Sequence, residues 1–328
     1  MITNEYGIHT FSLKFQCKYS EIQNIIEQNE CIRTNKGNLG LSSYYQMPQF
    51  KDVGVEIQLG QSVSHPCWLI LIVNPSSLLA GTYKPTALFQ ADKESVQQVK
   101  HHLRNILDKI GVDWRLREFK LSRCDLTCNL YYERKADVQD RLDIFKKSFP
   151  IPHYSAVKFG KHPNSDERFK GANKHSWTIT NKSKSCTFSA YDKTYELEKR
   201  HHIVINEHIL RLELRFGRSK IIKITKVKDW ESQLIEFGSQ VEKQQQKFLH
   251  RLHMMHFDPI PLPELLDRIN SSKYREKTKK KLRRIVKKAN GCVSLAAVQK
   301  DCRIKKSDFI KLLGKFEEMG IGCVSFKQ

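Results

Sequence analysis

The sequence predicts an α+β protein, an antiparallel sheet with helices on one face, followed by a small basic helical domain. Three observations carry this. Short strand-like runs recur at 8–16, 53–59, 68–73, 119–132, 176–181, 185–191 and 209–217. Amphipathic helical stretches fall between groups of these runs, an order that fits helices against one face of an antiparallel sheet. Finally, Pro259, Pro261 and Pro263 form a stiff linker, beyond which the composition changes.

Taken in order, residues 8–16 and 53–59 show short alternating runs, with Gly37 and Gly40 marking turns between them. Trp68 to Val73 is a continuous apolar strand, stopped at Asn74-Pro75-Ser76-Ser77. Over 93–110, Val96, Val99, Leu103, Ile106, Leu107 and Ile110 repeat at helical spacing, and Gly111 is placed to end the helix. A strand over 119–132, a helix over 137–147 and a long basic loop over 150–175 follow. After the strands at 176–181, 185–191 and 209–217, one long helix is expected over 229–256. No internal repeat is visible. The chain divides into an N-terminal α+β subdomain (1–117), a second α+β region carrying the candidate chemistry (118–257) and the basic helical domain (258–328).

With 328 residues, the chain is long enough for a substantial core. Its 57 Lys and Arg against 35 Asp and Glu leave a net charge of +22, which favours a polyanionic partner. The longest apolar run, Cys67–Val73, is too short to span a bilayer, and Met1 to Glu5 has no signal-peptide character. Nine cysteines without a Cys-x-x-Cys pair fit reduced thiols. Cys124 and Cys128 share the apolar face of a strand and are expected to be buried hydrophobes. The expected partner is therefore nucleic acid in the cytoplasm, not a membrane.

From residue 260 onward, 18 basic residues face 7 acidic ones, so half the net charge lies in the last fifth of the chain. The densest part includes Lys279, Lys280, Lys281, Arg283 and Arg284; Lys305 and Lys306 follow near a second short helix. Helices near 294–300 and 306–313, a Gly-containing turn and a strand over Cys323–Phe326 resemble a winged helix-turn-helix. A solvated basic bundle without groove readout would show the same pattern. Attraction to DNA phosphates follows from either.

Side chains alternate across a strand, so each strand splits into two faces. In 121–130, Cys124, Leu126, Cys128 and Leu130 oppose Arg123, Asp125, Thr127 and Asn129. In 210–216, the leucines and Phe216 oppose Arg211, Glu213 and Arg215. In 185–191, Cys186, Phe188 and Ala190 oppose Ser185, Thr187, Ser189 and Tyr191. If the strands share a sheet, the polar sets form one open surface. Mixed charge on a solvated sheet would look alike, but this set contains the groups that phosphoryl transfer needs. Tyr191 is a candidate nucleophile. Asp125 and Glu213 are candidate ligands for Mg²⁺ or Mn²⁺. Lys193, Arg211 and Arg215, with Arg123 beside them, are candidate phosphate clamps.

Ser122-Arg123-Cys124-Asp125-Leu126-Thr127, Ser176–Asn181 leading to Ala190-Tyr191-Asp192-Lys193, and Leu210-Arg211-Leu212-Glu213-Leu214-Arg215 occur in a telling order. Together with Pro66 through Gly81, they resemble the filamentous-phage gene II type of rolling-circle replication initiator, in short blocks over about 8–217. Plasmid initiators have similar segments. The resemblance implies a nuclease-like fold and an enzyme that nicks one strand at a replication origin. The family's nucleophile falls on Tyr191, which would become linked to the 5′ phosphate and leave a 3′ hydroxyl for a polymerase. Two features depart from related enzymes. No His-x-His pair occurs, and Tyr195, four residues after Tyr191, is expected to pack rather than react. His250, His253 and His256 drift around a helix and do not form a metal site. No Gly-x-x-x-x-Gly-Lys loop is present, so unwinding would need a separate host helicase. A non-catalytic origin-binding replication or transcription factor and a plasmid mobilisation relaxase are the competing readings.

Removing residues 264–328 is expected to weaken DNA affinity and flatten its dependence on salt, since each lost phosphate contact releases fewer counterions. Titrating binding against salt checks this; an unchanged slope counts against a DNA-binding tail.

Overall fold

A computed structural model describes residues 4–34, 42–63, 65–157 and 172–324. Gly37, Gly40, most of the expected basic loop and the end of the expected final strand lie outside them; Cys323 and Val324 are not in a strand.

Ten strands form one antiparallel sheet: β1 (Asn4–Cys17), β2 (Ile32–Thr34), β3 (Ser42–Met47), β4 (Val55–Ser62), β5 (Cys67–Val73), β6 (Lys120–Tyr132), β7 (Tyr154–Ala156), β8 (Ser176–Asn181), β9 (Cys186–Asp192) and β10 (His208–Gly217). The order is β2-β3-β4-β5-β1-β6-β10-β9-β8-β7. It reads alike from both ends. A long strand, a helix and a four-strand meander returning to that long strand occur twice, related by an approximate twofold axis between the antiparallel β1 and β6. The repeat absent from the sequence is present in the strand order, because topology requires only matching polarity and length, not matching residues. The division expected at 117/118 falls inside this sheet, where β1 pairs with β5 on one side and β6 on the other.

The helices are α1 (Tyr19–Gln28), α2 (Pro75–Ala80), α3 (Lys93–Lys109), α4 (Lys135–Lys146), α5 (Ala172–His175), α6 (Lys193–Glu196), α7 (Arg218–Ile224), α8 (Trp230–Gly238), α9 (Val241–Leu252), α10 (Leu262–Asn270), α11 (Glu276–Ala289), α12 (Leu295–Asp301) and α13 (Lys306–Glu318). Asp92 caps α3 through the Ser95 amide (2.8 Å), and Asp229 caps α8 through the Ser232 amide (2.8 Å). The single helix expected over 229–256 is two helices. At Gly238 a Cβ would stand 2.7 Å from the Ala91 carbonyl oxygen, so the chain passes Ala91 closely and turns.

Apolar residues of α1, α3, α4, α8 and α9 join one core with the inward side chains of the strands. Behind β9, Phe188 is fully buried, its ring centroid 4.9 Å from that of Phe248 and 5.9 Å from that of Phe145. This packing fixes the pleat of β9. Phe188 and Ala190 point to the helices, so Ser189 and Tyr191 point away. All nine cysteines are free, and Cys124 and Cys128 are buried. Among the described residues, no helix is long and apolar enough to cross a membrane.

The basic unit α10–α13 docks on the rest of the protein. The Leu295 amide donates to the Lys147 carbonyl (2.8 Å), Phe149 packs on Phe309 (5.3 Å), and Arg141 pairs with Asp258 of the linker (2.8 Å). His250 and His253 each turn Nδ1 toward Glu317 of α13, at 3.1 and 3.5 Å. On α11, Lys280, Lys281 and Arg284 are exposed. Lys279 and Arg283 are tied down instead, to the Asn270 carbonyl (2.6 Å) and the Asn270 Oδ1 (2.8 Å). Neutralising Lys280, Lys281 and Arg284 is therefore expected to lower the salt slope without cutting this packing.

Phe188→Ala is expected to cost about 3–5 kcal/mol, because it opens a cavity among rings held by three elements. Urea unfolding checks it; a loss under about 1 kcal/mol would mean that β9 is not held from behind.

Candidate active site

Strand register assembles the site. Tyr191 of β9 stands opposite Arg211 of β10, which stands opposite Asn129 of β6 and then Glu5 of β1. The next row on this face is Ser189, Glu213, Thr127 and Gly7; the one after is Thr187, Arg215, Asp125 and Thr10. The polar residues expected on one surface are thus brought together. That surface is not open: Asp125, Thr127, Asn129 and Arg211 are fully buried, and Glu213 is 8% exposed. The chain between α2 and α3 supplies part of the cover. Phe89 bridges to Ile8, and the Thr86 carbonyl accepts from Arg211 Nη2 (2.9 Å) and Asn129 Nδ2 (2.8 Å).

Asp125 is held between two arginines. Arg123 Nε donates to both carboxylate oxygens (2.9 and 3.1 Å), with Arg123 Nη2 also on Oδ2. Arg215 donates through Nε to Oδ1 (3.0 Å) and through Nη2 to Oδ2 (3.2 Å). The same Nη2 reaches Glu213 Oε1 (2.9 Å). The other Glu213 oxygen, Oε2, accepts from the Tyr191 hydroxyl at 3.4 Å. Burial and the charge of Asp125 push the Glu213 carboxyl above its usual range. Burial and then Glu213 push the Tyr191 phenol up, while Arg211 pulls the other way. For Arg215, burial opposes the charge, but Asp125 and Glu213 outweigh it and hold the guanidinium protonated.

Arg211 is the strongest single feature. Its Nε donates to Asn129 Oδ1 (2.7 Å) and its Nη2 to Thr86, but Nη1 is buried with no partner. That nitrogen makes no hydrogen bond of ordinary geometry, although the guanidinium still favours the ionised form of the Tyr191 phenol across the strand pair. Lys193 is not the exposed clamp expected from the sequence. It is 2% exposed and bonded to Glu196 Oε2 at 2.6 Å. Burial and Arg211 depress its pKa. Tyr195 stacks on His175 (3.6 Å, 11°), as a packing residue.

The donor set does not fit the Mg²⁺ or Mn²⁺ expected on Asp125 and Glu213. Both oxygens of Asp125 are taken by guanidinium groups, which leaves no open lone pair for a metal. Among the described residues, no three His, Cys, Asp or Glu side chains converge as a metal site.

Sequence reasoning missed several members. His9 occupies a bulge, where the β1–β6 register slips between Ile8/Leu126 and Thr10/Asp125, and its Nδ1 lies 3.8 Å from Glu213 Oε2. Burial and the surrounding arginines and Lys193 keep its imidazole neutral. Alternation cannot place a bulged residue, so strand pattern gave no sign of it. Glu196 joins Lys193 to His201 (Nε2, 3.4 Å), against which the Tyr83 ring lies tilted (5.6 Å, 39°) from 118 residues earlier in the chain. A cavity of about 510 Å³ lined by Tyr6, Cys128, Leu212 and Gln245 lies on the helix side, away from Tyr191.

Asp125→Ala is expected to destabilise the fold by about 3–5 kcal/mol, since it leaves two guanidinium groups in a buried site without their carboxylate. Thermal and urea unfolding read this; wild-type stability would mean that the arginines do not depend on Asp125.

No family model matches the chain, and no curated protein matches it.

Proposed function

We propose that this protein is a DNA-nicking enzyme of the rolling-circle initiator kind, with Tyr191 as nucleophile. One observation carries the reading: the Tyr191 hydroxyl donates to Glu213, a carboxylate that can take its proton, and Tyr191 pairs across the strands with Arg211, whose guanidinium is buried. The elevated phenol explains why a base is needed. Unaided, almost none of it would ionise at neutral pH.

The reaction is a transesterification. Tyr191 Oη bonds to phosphorus as its proton passes to Glu213 Oε2. The bond from phosphorus to the 3′ oxygen breaks, and that oxygen takes a proton from solvent as a 3′ hydroxyl. The strand is left joined to Tyr191 through its 5′ phosphate. In this reading Arg211 Nη1 would donate to a non-bridging oxygen, where negative charge builds up, once the phosphate has entered the buried site. Asp125 acts at one remove by holding Arg215, which orients Glu213. The 3′ hydroxyl would serve a polymerase at a phage or plasmid origin. The α12–turn–α13 pair, with Lys305 and Lys306 at its entry and the basic α11 beside it, would bind duplex origin DNA as a winged-helix-like unit.

A second reading is an origin-binding factor without chemistry. It is favoured by the burial of the site and by the closed pairing of Asp125 with two arginines.

Incubation with supercoiled origin DNA separates the two. Wild type is expected to give nicked circles and a covalent protein–DNA adduct mapping to Tyr191. Tyr191→Phe should abolish both. Glu213→Gln should slow nicking by about 10²-fold or more with DNA binding retained, the range of a lost general base. Equal nicking by Tyr191→Phe, or no adduct from wild type, rules out the enzyme reading.

A further inference from the structure

The pseudo-twofold sheet has, on the same side as the buried site, a second segment that reaches solvent and differs in chemistry. Under the axis between β1 and β6, β5 takes the place of β10 and β4 that of β9. Where β10 presents Arg211, Glu213 and Arg215, β5 presents Trp68, Ile70 and Ile72. Along β5, and along β4 as far as Leu59, every second residue is buried, and the intervening ones are half-exposed, Trp68, Ile70 and Ile72 among them.

Three features mark this segment. Lys14 of β1 sits over the Trp68 ring at 3.6 Å. Tyr44, Gly60 and Trp68 form one cross-strand row, and the absence of a side chain at Gly60 lets the Tyr44 ring lie across it, 3.6 Å from where a Cβ would be. Tyr44 is 44% exposed and Trp68, half-exposed, carries Lys14 over one face of its ring, so the row reaches solvent as a two-ring aromatic strip. Lys120, opposite Lys14 on β6, is exposed and extends the positive charge toward Arg123. The acidic group on this face, Glu56, is already engaged by Gln46 (3.1 Å) and Gln58 (2.6 Å).

We propose that this face binds single-stranded DNA and leads the strand to Tyr191, an inference that rests on the nicking reading for the direction of the strand. Aromatic faces beside lysines recognise unpaired bases, whose rings are free to stack, while the lysines meet the phosphates. Duplex DNA keeps its bases stacked on one another and offers the rings nothing. The face is continuous with the site through the Ser12–Arg123 and Thr10–Asp125 pairs. Along β6 the row of Lys14 lies nine residues from the row of Tyr191. That is about 30 Å, or roughly nine nucleotides at duplex spacing and fewer in an extended strand.

The test is fluorescence anisotropy of a labelled pyrimidine-rich 20-mer, single-stranded and as duplex, on the full chain. Trp68→Ala is expected to weaken single-strand binding roughly tenfold, as loss of one stacking ring does, with duplex affinity unchanged. Trp68→Phe should keep most of the affinity, and its melting curve guards against misfolding. Unchanged single-strand affinity in Trp68→Ala overturns the proposal. So does a wild-type dimer that Trp68→Ala converts to monomer in gel filtration, which would assign the face to a second copy of the chain. Trp68-dependent binding in a protein that never nicks would leave this inference standing and remove the enzymatic one.

Discussion

The candidate site depends on how the protein neutralises a carboxylate it has buried completely. Asp125 is enclosed in the middle of a ten-stranded sheet, where an unpaired negative charge would be costly. Arg123 from the same strand and Arg215 from the next one close around it. Arg215 then shares its Nη2 with Glu213, and Glu213 in turn meets the Tyr191 hydroxyl. One electrostatic requirement at Asp125 thereby orders the side chains of three strands. It also explains why a half-exposed arginine can stay fixed: both of its anchors are carboxylates, one of them wholly buried.

The second constraint is the symmetric sheet. Placing two long strands, β1 and β6, at the centre gives each meander an equivalent docking edge. Helices cover one side of both halves. The other side differs between the halves, with ion pairs and a tyrosine on β9 and β10 against Trp68, Ile70 and Ile72 on β5 and Tyr44 on β3. Because β5 pairs with β1 only from Phe11 onward, the first residues of β1 lack that neighbour. The chain around Thr86 and Phe89 takes the vacant place and roofs the site, which is why a polar surface that would otherwise face solvent is buried.

Much of this was legible in the residues. The strand from Trp68 to Val73 follows from a continuous apolar run; those at 119–132, 176–181, 185–191 and 209–217 follow from alternation, and so does the common face of Tyr191, Arg211, Glu213, Arg215 and Asp125. Alternation is a local property of β backbone, so it survives without knowledge of partners. The break at Gly238 was not legible, since it arises from the approach of Ala91, nearly 150 residues earlier. Lys193 reads as a free cation until Glu196 and the burial of α6 are known.

The sequence by itself determined which side chains share a face, that helices cover the other face, and that the tail carries half the excess charge. These depend on period and composition, which act over a few residues. Only the tertiary structure decided which strands are neighbours, that His9 reaches Glu213 from a bulge, that Arg211 keeps one buried nitrogen unpaired, and that the carboxylates meet arginines instead of standing open to a metal. Register and burial are set by contacts between distant segments, and charges are paired by whatever those contacts bring within 3 to 4 Å. No local pattern in the chain encodes that choice.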